Sequence, residues 1–158
     1  MRGPYIGVIG TGESDPGLDD MAVAVGREVA RRGGVLVCGG LGGVMTAAAL
    51  GAKEEGGFTV GILPGSHVED ANHFIDFPIA SNMGQARNAI IVQTAHVLIA
   101  VGGGYGTLSE IAMALKMGKK VVALHPEFEI PGVRSAQSPA EAVSLAYQLI
   151  EAPADIVV

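Results

Sequence analysis

The sequence predicts an α/β protein: a single Rossmann-like, three-layer domain over residues 1–158, in which a mainly parallel sheet of about five to seven strands lies between helices on both faces. Short runs rich in Val, Ile and Leu alternate with longer helical patterns, which is the spacing of βαβ units with right-handed crossovers. Most of the short runs are continuously apolar, as expected for strands covered on both faces. Hydrophobic residues make up 49% of the chain and charged residues only 16%, which excludes a disordered chain or a coiled coil.

Five segments have the composition of buried strands. They are residues 5–10, 35–38, 59–63, 96–101 and 120–124. A short, weaker strand is predicted at residues 74–78. Five helices are predicted between and after these strands. They are residues 18–32, 44–55, 83–94, 107–117 and 140–151. The first follows a candidate cap at residues 14–16 (SDP), and the last opens with residues 138–141 (SPAE), which have the spacing of a capping box with proline at the first position.

Charge and cysteine content narrow the class of protein. The formal net charge is −6 with no run of Lys or Arg, so we expect no nucleic-acid partner. No apolar stretch reaches the roughly 20 residues that span a bilayer, so we expect no membrane partner. The N-terminal residues run directly into a strand pattern rather than a signal peptide, and Cys38 is the only cysteine, so no internal disulfide forms. The sequence therefore predicts a cytoplasmic protein.

The sequence predicts neither a cofactor nor a metal site. The Rossmann pattern G-x-G-x-x-G would need glycine at Asp15, and the second strand ends in Cys38 and Gly39 with no carboxylate for a ribose hydroxyl, which argues against NAD. Residues 118–120 (GKK) lack the Ser or Thr and the preceding strand of a P-loop. The four histidines have no paired metal-ligand spacing.

Three glycine-rich loops leave strands at the carboxyl edge of the predicted sheet and lead into helices, at residues 10–14, 39–43 and 102–107. In such sheets ligands bind beyond the carboxyl ends of the strands, near the point where strand order reverses. Glycine lets backbone N–H groups approach an anion, and a helix start carries roughly half a positive charge. We therefore predict a site for a phosphorylated, nucleotide-like small molecule rather than loops that serve tight packing alone. The predicted binding residues in these loops are Gly12, Ser14, Gly39, Gly40, Gly42, Gly43, Gly103, Gly104, Tyr105, Gly106 and Thr107.

Two segments carry a resemblance to a known family. Residues 101–110 (VGGGYGTLSE) resemble the P-G-G-x-G-T-x-x-E signature of the Lonely Guy family, and residues 83–88 (MGQARN) resemble its Arg-Lys segment at the same distance from the glycine loop. Members of that family, long mislabelled lysine decarboxylases, act as phosphoribohydrolases on cytokinin nucleotides or nucleoside monophosphates. The resemblance covers most of the chain.

Three positions depart from the family pattern. Asn88 stands in place of the family's Lys, Gly102 in place of Pro, and Ser109 in place of a usual Glu. These residues look closer to a related bacterial branch of uncharacterised proteins, which is similar also to the molybdenum-cofactor carrier proteins. The resemblance therefore implies a binding site shared with both groups.

The resemblance implies catalytic roles for Glu110 and Arg87. Glu110 would lie near the ribose and stabilise an oxocarbenium-like transition state, or assist attack of water at the glycosidic carbon. Its alternative role is a capping box over residues 107–110, in which the side chain bonds to the helix start. Arg87 should reach over the carboxyl edge of the sheet, where a bidentate, always-charged donor suits a phosphate. The alternative is a solvated helix arginine.

The other candidate binding residues also have alternatives. Met83 belongs to the same segment as Arg87, and Asn88 either contacts the ligand or serves as a cap or surface residue. Thr107 either donates to a phosphate or caps its helix. Ser14 either faces the ligand or is the N-cap of the first helix. Tyr105 either packs against a ligand ring or lies on the surface.

Two functions remain open at this point. The first is hydrolysis of the N-glycosidic bond of a nucleoside 5′-monophosphate, which releases the free base and ribose 5-phosphate. The second is a non-catalytic carrier or sensor of the molybdenum cofactor or a nucleotide. Lysine decarboxylation is not expected, because no lysine with the groups that support pyridoxal phosphate can be identified. A mean hydropathy of +0.41 and Ala- and Met-rich helices predict a homodimer or larger homo-oligomer built on helix faces.

Overall fold

The computed structural model describes residues 3–151, which form a seven-stranded sheet. The strands are β1 (Tyr5–Gly10), β2 (Val35–Cys38), β3 (Phe58–Leu63), β4 (Phe77–Ala80), β5 (Val97–Val101), β6 (Lys120–Leu124) and β7 (Arg134–Ala136). Their order across the sheet is β4-β3-β2-β1-β5-β6-β7, and every neighbouring pair is parallel. The predicted α/β fold class and its parallel sheet are confirmed.

Helices cover both faces of this sheet. They are α1 (Pro16–Arg31), α2 (Val44–Glu54), α3 (Asn88–Thr94), α4 (Tyr105–Lys116) and α5 (Pro139–Glu151). Helices α1, α2 and α5 share one apolar core with the sheet, and α3 and α4 share the second. No helix within residues 3–151 has the length and apolarity needed to cross a membrane.

The strand order reverses direction between β1 and β5. From β1 the chain proceeds outward through β2 and β3 to β4, and from β5 it proceeds the other way through β6 to β7. Gly10 at the end of β1 pairs with Val101 at the end of β5, so the loops that follow these two strands begin side by side. Such a switch point opens a crevice at the carboxyl edge of the sheet.

Several predicted strands and helices have different bounds in the structure. The strand predicted at residues 74–78 lies instead at Phe77–Ala80, because Asp76 forms a corner before it: its carboxylate accepts from the Thr59 N–H at 3.0 Å and from Lys53 Nζ at 2.9 Å. The helix predicted at residues 83–94 is divided into a 3-10 turn at Gly84–Arg87 and α3. The 3-10 turn begins at Gly84, whose φ is +58°. Strand β7 was not predicted, because two of its three residues are exposed and no apolar run marks it.

The cap predicted at residues 14–16 is confirmed, and within it Asp15 rather than Ser14 caps α1, because its carboxylate accepts from the Leu18 N–H at 3.1 Å. Helix α4 begins at Tyr105 rather than at residue 107, with Gly104 as its N-cap, so the capping box over residues 107–110 does not form. At the start of α5 half of the predicted capping box forms, because Ser138 Oγ accepts from the Glu141 N–H at 3.1 Å. The Glu141 carboxylate accepts from the N–H of residue 137, one position before Ser138, at 2.9 Å.

Candidate ligand-binding site

A cavity of about 440 Å³ lies at the switch point, between the ends of the central strands and the starts of α3 and α4. This volume is in the range of small-molecule sites. It is lined by Val8, Ile9, Gly10, Thr11, Gly12, Gly39, Leu41, Met45, Pro64, Gln85, Arg87, Asn88, Ile91, Gly104, Gly106, Thr107 and Glu110. The wall is therefore apolar on the side of the strands and α2, and polar at the helix starts.

The start of α4, which lines this cavity with Gly104, Gly106 and Thr107, has unpaired backbone amides. Gly102 donates its N–H to the Leu124 carbonyl at 2.9 Å, and the next amide with a protein acceptor is Leu108, which donates to the Gly104 carbonyl at 2.9 Å. Between them, the N–H groups of residues 103–107 have no acceptor anywhere in residues 3–151. Unpaired amides at the start of a twelve-residue helix form a positive end that favours an anion.

Gly103 makes this geometry possible. Its φ is +105°, which L side chains rarely adopt, and a Cβ built there would lie 2.4 Å from the Thr107 Oγ1 atom. The loop can therefore fold tightly onto the first turn of α4 only with glycine at this position. Thr107 is 4% exposed, and its side chain lines the cavity.

The start of α2 contrasts with that of α4, because its first two amides are paired within the protein. The Val44 N–H donates to the Thr11 carbonyl at 3.0 Å, and the Met45 N–H donates to the Gly42 carbonyl at 3.2 Å. A Cβ on Gly43 would lie 2.3 Å from the Thr11 carbonyl oxygen. The first and second glycine loops therefore pack on each other, and the open anion position lies at the third loop.

Arg87 is buried beneath the cavity with its guanidinium group fixed in place. Its Nε donates to the Ile62 carbonyl at 2.8 Å, and its Nη1 donates to Asn88 Oδ1. A Cβ on Gly39 would lie 2.6 Å from Nη2, so the missing side chain at that position leaves room for the guanidinium. Burial lowers the pKa of Arg87 from its ordinary value, and the nearby Glu110 carboxylate opposes that shift. At ordinary pH Arg87 remains the cation of the site.

Glu110 is the acid of the site. It lies in the second turn of α4, is 8% exposed and lines the cavity. Burial raises the pKa of the Glu110 carboxyl to about 7, against the opposing effect of Arg87. No hydrogen-bond donor in the described chain holds this carboxylate, in keeping with the absence of a capping box. A carboxyl group that titrates near neutral pH inside a ligand-sized cavity is suited to proton transfer.

Cys38 lies next to the site but is not suited to act as its nucleophile. Its side chain is completely buried, and burial raises the pKa of the thiol to about 11. The Gly40 N–H donates to its sulfur at 3.4 Å. A thiol that stays protonated and covered is chemically inert.

The structure brings together part of the predicted set of site residues. Those that line the cavity are Gly12, Gly39, Arg87, Asn88, Gly104, Gly106, Thr107 and Glu110. Those that lie outside its lining are Ser14, Gly40, Gly42, Gly43, Met83, Gly103 and Tyr105. Ser14 donates its hydroxyl to Asp19 at 2.6 Å, and Tyr105 is 82% exposed with its ring stacked on Phe128 at 5.8 Å. The residues outside the lining belong to the loops or lie beside them. Among them, Gly103 has the positive φ that turns the backbone into the first turn of α4.

Sequence reasoning did not select the apolar part of the lining. Met45 and Ile91 look like core residues in the sequence, and only the tertiary structure shows that they face a cavity. Gln85 lies two residues before Arg87 in the segment that the resemblance marked, so its position was a usable signal.

The fold and the site define a Rossmann-like α/β protein with a small-molecule cavity at its switch point. The chain belongs to the SLOG cluster4 family, whose model matches residues 3–152. The resemblance to Lonely Guy proteins and to molybdenum-cofactor carriers is confirmed at the level of the superfamily.

Individual relatives of both kinds are similar over most of the chain. A cytokinin riboside 5′-monophosphate phosphoribohydrolase of Mycobacterium marinum is 35% identical over 130 residues, which is 76% of this chain and 69% of the relative. The solved structure of a molybdenum cofactor binding protein from Rippkaea orientalis has a TM-score of 0.90 and 38% identity, covering 95% of this chain and 99% of that one. A molybdenum cofactor carrier protein from Chlamydomonas reinhardtii has a TM-score of 0.86 and 36% identity, covering 96% and 100% of the two chains.

Proposed function

We propose that the cavity binds a phosphate monoester of a nucleoside or pterin, with its phosphate at the first turn of α4. The observation that carries this proposal is the row of N–H groups at residues 103–107 without a protein acceptor, beside a cavity of about 440 Å³. Each amide can donate to a phosphate oxygen, and the helix dipole favours the negative charge. The apolar wall that includes Met45 and Ile91 suits the flat ring of such a ligand.

Glu110 supports hydrolysis as the activity of this site. In the proposed reaction water adds to C1′ of the ribose as the bond from C1′ to the base nitrogen breaks, and the electron pair leaves with the base, which takes up a proton. Positive charge develops on the sugar in the transition state. The ionised Glu110 carboxylate stabilises that charge and accepts a proton from the attacking water. The products are the free base and ribose 5-phosphate.

Release of free base tests this activity directly. The purified protein is incubated with AMP, GMP and CMP, and the bases are separated by chromatography. We expect release by the wild type and a rate lower by about two to four orders of magnitude for Glu110→Gln. The exposed Glu69→Gln variant is the matched control and should retain the wild-type rate. No release by the wild type, or equal release by Glu110→Gln, contradicts the hydrolase assignment.

A second candidate function is carriage of the molybdenum cofactor without turnover. It is favoured by the similarity to the Rippkaea orientalis and Chlamydomonas reinhardtii structures, which extends over nearly the whole chain. The neutral Asn88, in place of the lysine of the phosphoribohydrolase pattern, points the same way. The test is to unfold freshly purified protein, oxidise the extract and measure pterin fluorescence. The carrier function is supported if the extract contains a pterin and the protein binds AMP without releasing base. It is contradicted if the extract contains no pterin and added molybdopterin does not stabilise the protein.

We also propose that a second copy of the chain covers an apolar sheet face at β3 and β4, rather than the helix faces expected from the sequence. Phe58 and Phe77 are each 52% exposed with their rings 6.2 Å apart, and Ile79 is 48% exposed on the same edge strand as Phe77. Exposed apolar patches of this kind are typical of interaction surfaces. Light scattering should show a homo-oligomer that Phe77→Lys dissociates, whereas Met117→Lys, at the end of α4, should leave it intact. A monomeric wild type contradicts this proposal.

A further inference from the structure

The side-chain amide of Asn88 has one orientation, which its neighbour Arg87 imposes. Arg87 Nη1 donates to Asn88 Oδ1, and Arg87 Nε donates to the Ile62 carbonyl at 2.8 Å, so the guanidinium is held from two sides. A guanidinium has donors only and cannot face an NH2 group at hydrogen-bond distance. The Asn88 oxygen must therefore face Arg87, and its Nδ2 must point away.

The Nδ2 group of Asn88 is a donor without a protein acceptor. Asn88 is 8% exposed and lines the cavity, and none of residues 3–151 accepts a hydrogen bond from Nδ2. Nδ2 is also not fully enclosed by protein. Among residues 3–151, the enclosed side-chain polar atom without a hydrogen-bond partner is Asp19 Oδ1. Buried donors are completed by an acceptor, and here the acceptor must come from the cavity.

Asn88 and the open amides of α4 belong to segments that follow different strands of the sheet. Arg87 sits over Gly39 at the end of β2 and contacts Ile62 in β3, whereas α4 begins just after β5. In the order β3-β2-β1-β5, the ends of β2 and β5 are two strand spacings apart, which is about 10 Å. One phosphate group with hydrogen bonds of about 2.9 Å on either side does not span that width.

We propose that Asn88 is a specificity-determining residue that binds the part of the ligand remote from the phosphate. Its Nδ2 donates to an acceptor there, such as a carbonyl oxygen, a ring nitrogen or a sugar hydroxyl, while the first turn of α4 holds the phosphate. The site thus selects phosphate monoesters that carry an acceptor on an extended organic group over inorganic phosphate. This inference rests on the proposed phosphate site and adds the second contact point.

Calorimetric titration with AMP and with inorganic phosphate tests this assignment. Asn88→Asp keeps the size of the side chain and the contact with Arg87 but replaces the NH2 donor by a carboxylate oxygen; Asn88→Ala removes the group. We expect both variants to lose about tenfold or more in affinity for AMP, and the uncharged Asn88→Ala to keep its affinity for phosphate within about twofold. The carboxylate of Asn88→Asp adds negative charge to the cavity and should weaken the binding of both anions. Gln93→Ala, on the solvent side of α3, is the matched control and should bind both probes like the wild type.

A double-mutant cycle separates binding by Asn88 from simple support of the fold. Because Arg87 orients the amide, Arg87→Lys should weaken AMP binding, and Asn88→Ala should then cost much less than it does in the wild-type background. Equal losses of affinity for AMP and phosphate in Asn88→Ala, or no loss for either, overturn the role of Asn88 while leaving the α4 phosphate site intact. A wild type that binds neither probe overturns the proposed function, and this inference with it.

Discussion

Replacing Glu110 by glutamine should change how the stability of the protein depends on pH. Burial raises the pKa of this carboxyl from 4.5 to about 7 in the folded chain. The folded state therefore holds the proton more tightly than the unfolded state, so the stabilising contribution is complete below pH 4.5 and is lost as the pH rises through 7. A shift of one pKa unit corresponds to about 1.4 kcal/mol. The free energy of unfolding therefore loses about 3 kcal/mol in total, of which about 2–3 kcal/mol is lost between pH 5 and pH 8.

Glu110→Gln has no titrating group at this position and should not show that loss. The free energy of unfolding of the variant, relative to the wild type, should increase by about 2–3 kcal/mol from pH 5 to pH 8. Urea unfolding followed by circular dichroism measures it, since the chain has no tryptophan for fluorescence. Glu69→Gln removes an exposed carboxylate and is the control for the substitution itself. A difference for Glu110→Gln that is constant with pH, or that falls, refutes the assignment of Glu110 as a buried acid.

Three further results are expected from the site. The rate of base release should rise with pH through about 7 and then level off, because Glu110 acts as the carboxylate; a rate that falls over this range contradicts that role. Gly39→Ala should displace the Arg87 guanidinium, lower stability by about 1–3 kcal/mol and weaken AMP binding, as measured by unfolding and calorimetry; unchanged binding would show that Arg87 has no part in the site. Cys38, with its covered thiol of pKa about 11, should react with a disulfide reagent at pH 8 only after unfolding; rapid reaction of the folded protein would contradict its burial.

The central strands could be predicted from the sequence because their side chains are apolar on both faces. The bounds of β1, β2 and β6 agree with the prediction. Strand β7 could not be predicted in this way, since it is short and lies at the edge of the sheet with two exposed residues. The corner at Asp76 depends on Lys53 and Thr59, which are distant in the sequence, so local composition misplaced β4 by three residues at its start.

The candidate site was partly visible in the sequence for a similar reason. Glycine loops after strands are a local signal, and the loop before α4 indeed ends in open amides. The three loops look alike in the sequence, but the second is occupied by contact with Thr11, a tertiary interaction that no local pattern encodes. The hydrogen bond from Arg87 to the Ile62 carbonyl and the orientation of Asn88 likewise depend on how α3 packs against β3.

A crystal structure of the protein soaked with AMP shows directly whether the first turn of α4 binds phosphate. We expect phosphate oxygens about 2.7–3.2 Å from backbone N–H groups within residues 103–107, with the ribose near Glu110. A phosphate bound elsewhere, with those amides paired to protein atoms, would contradict that expectation.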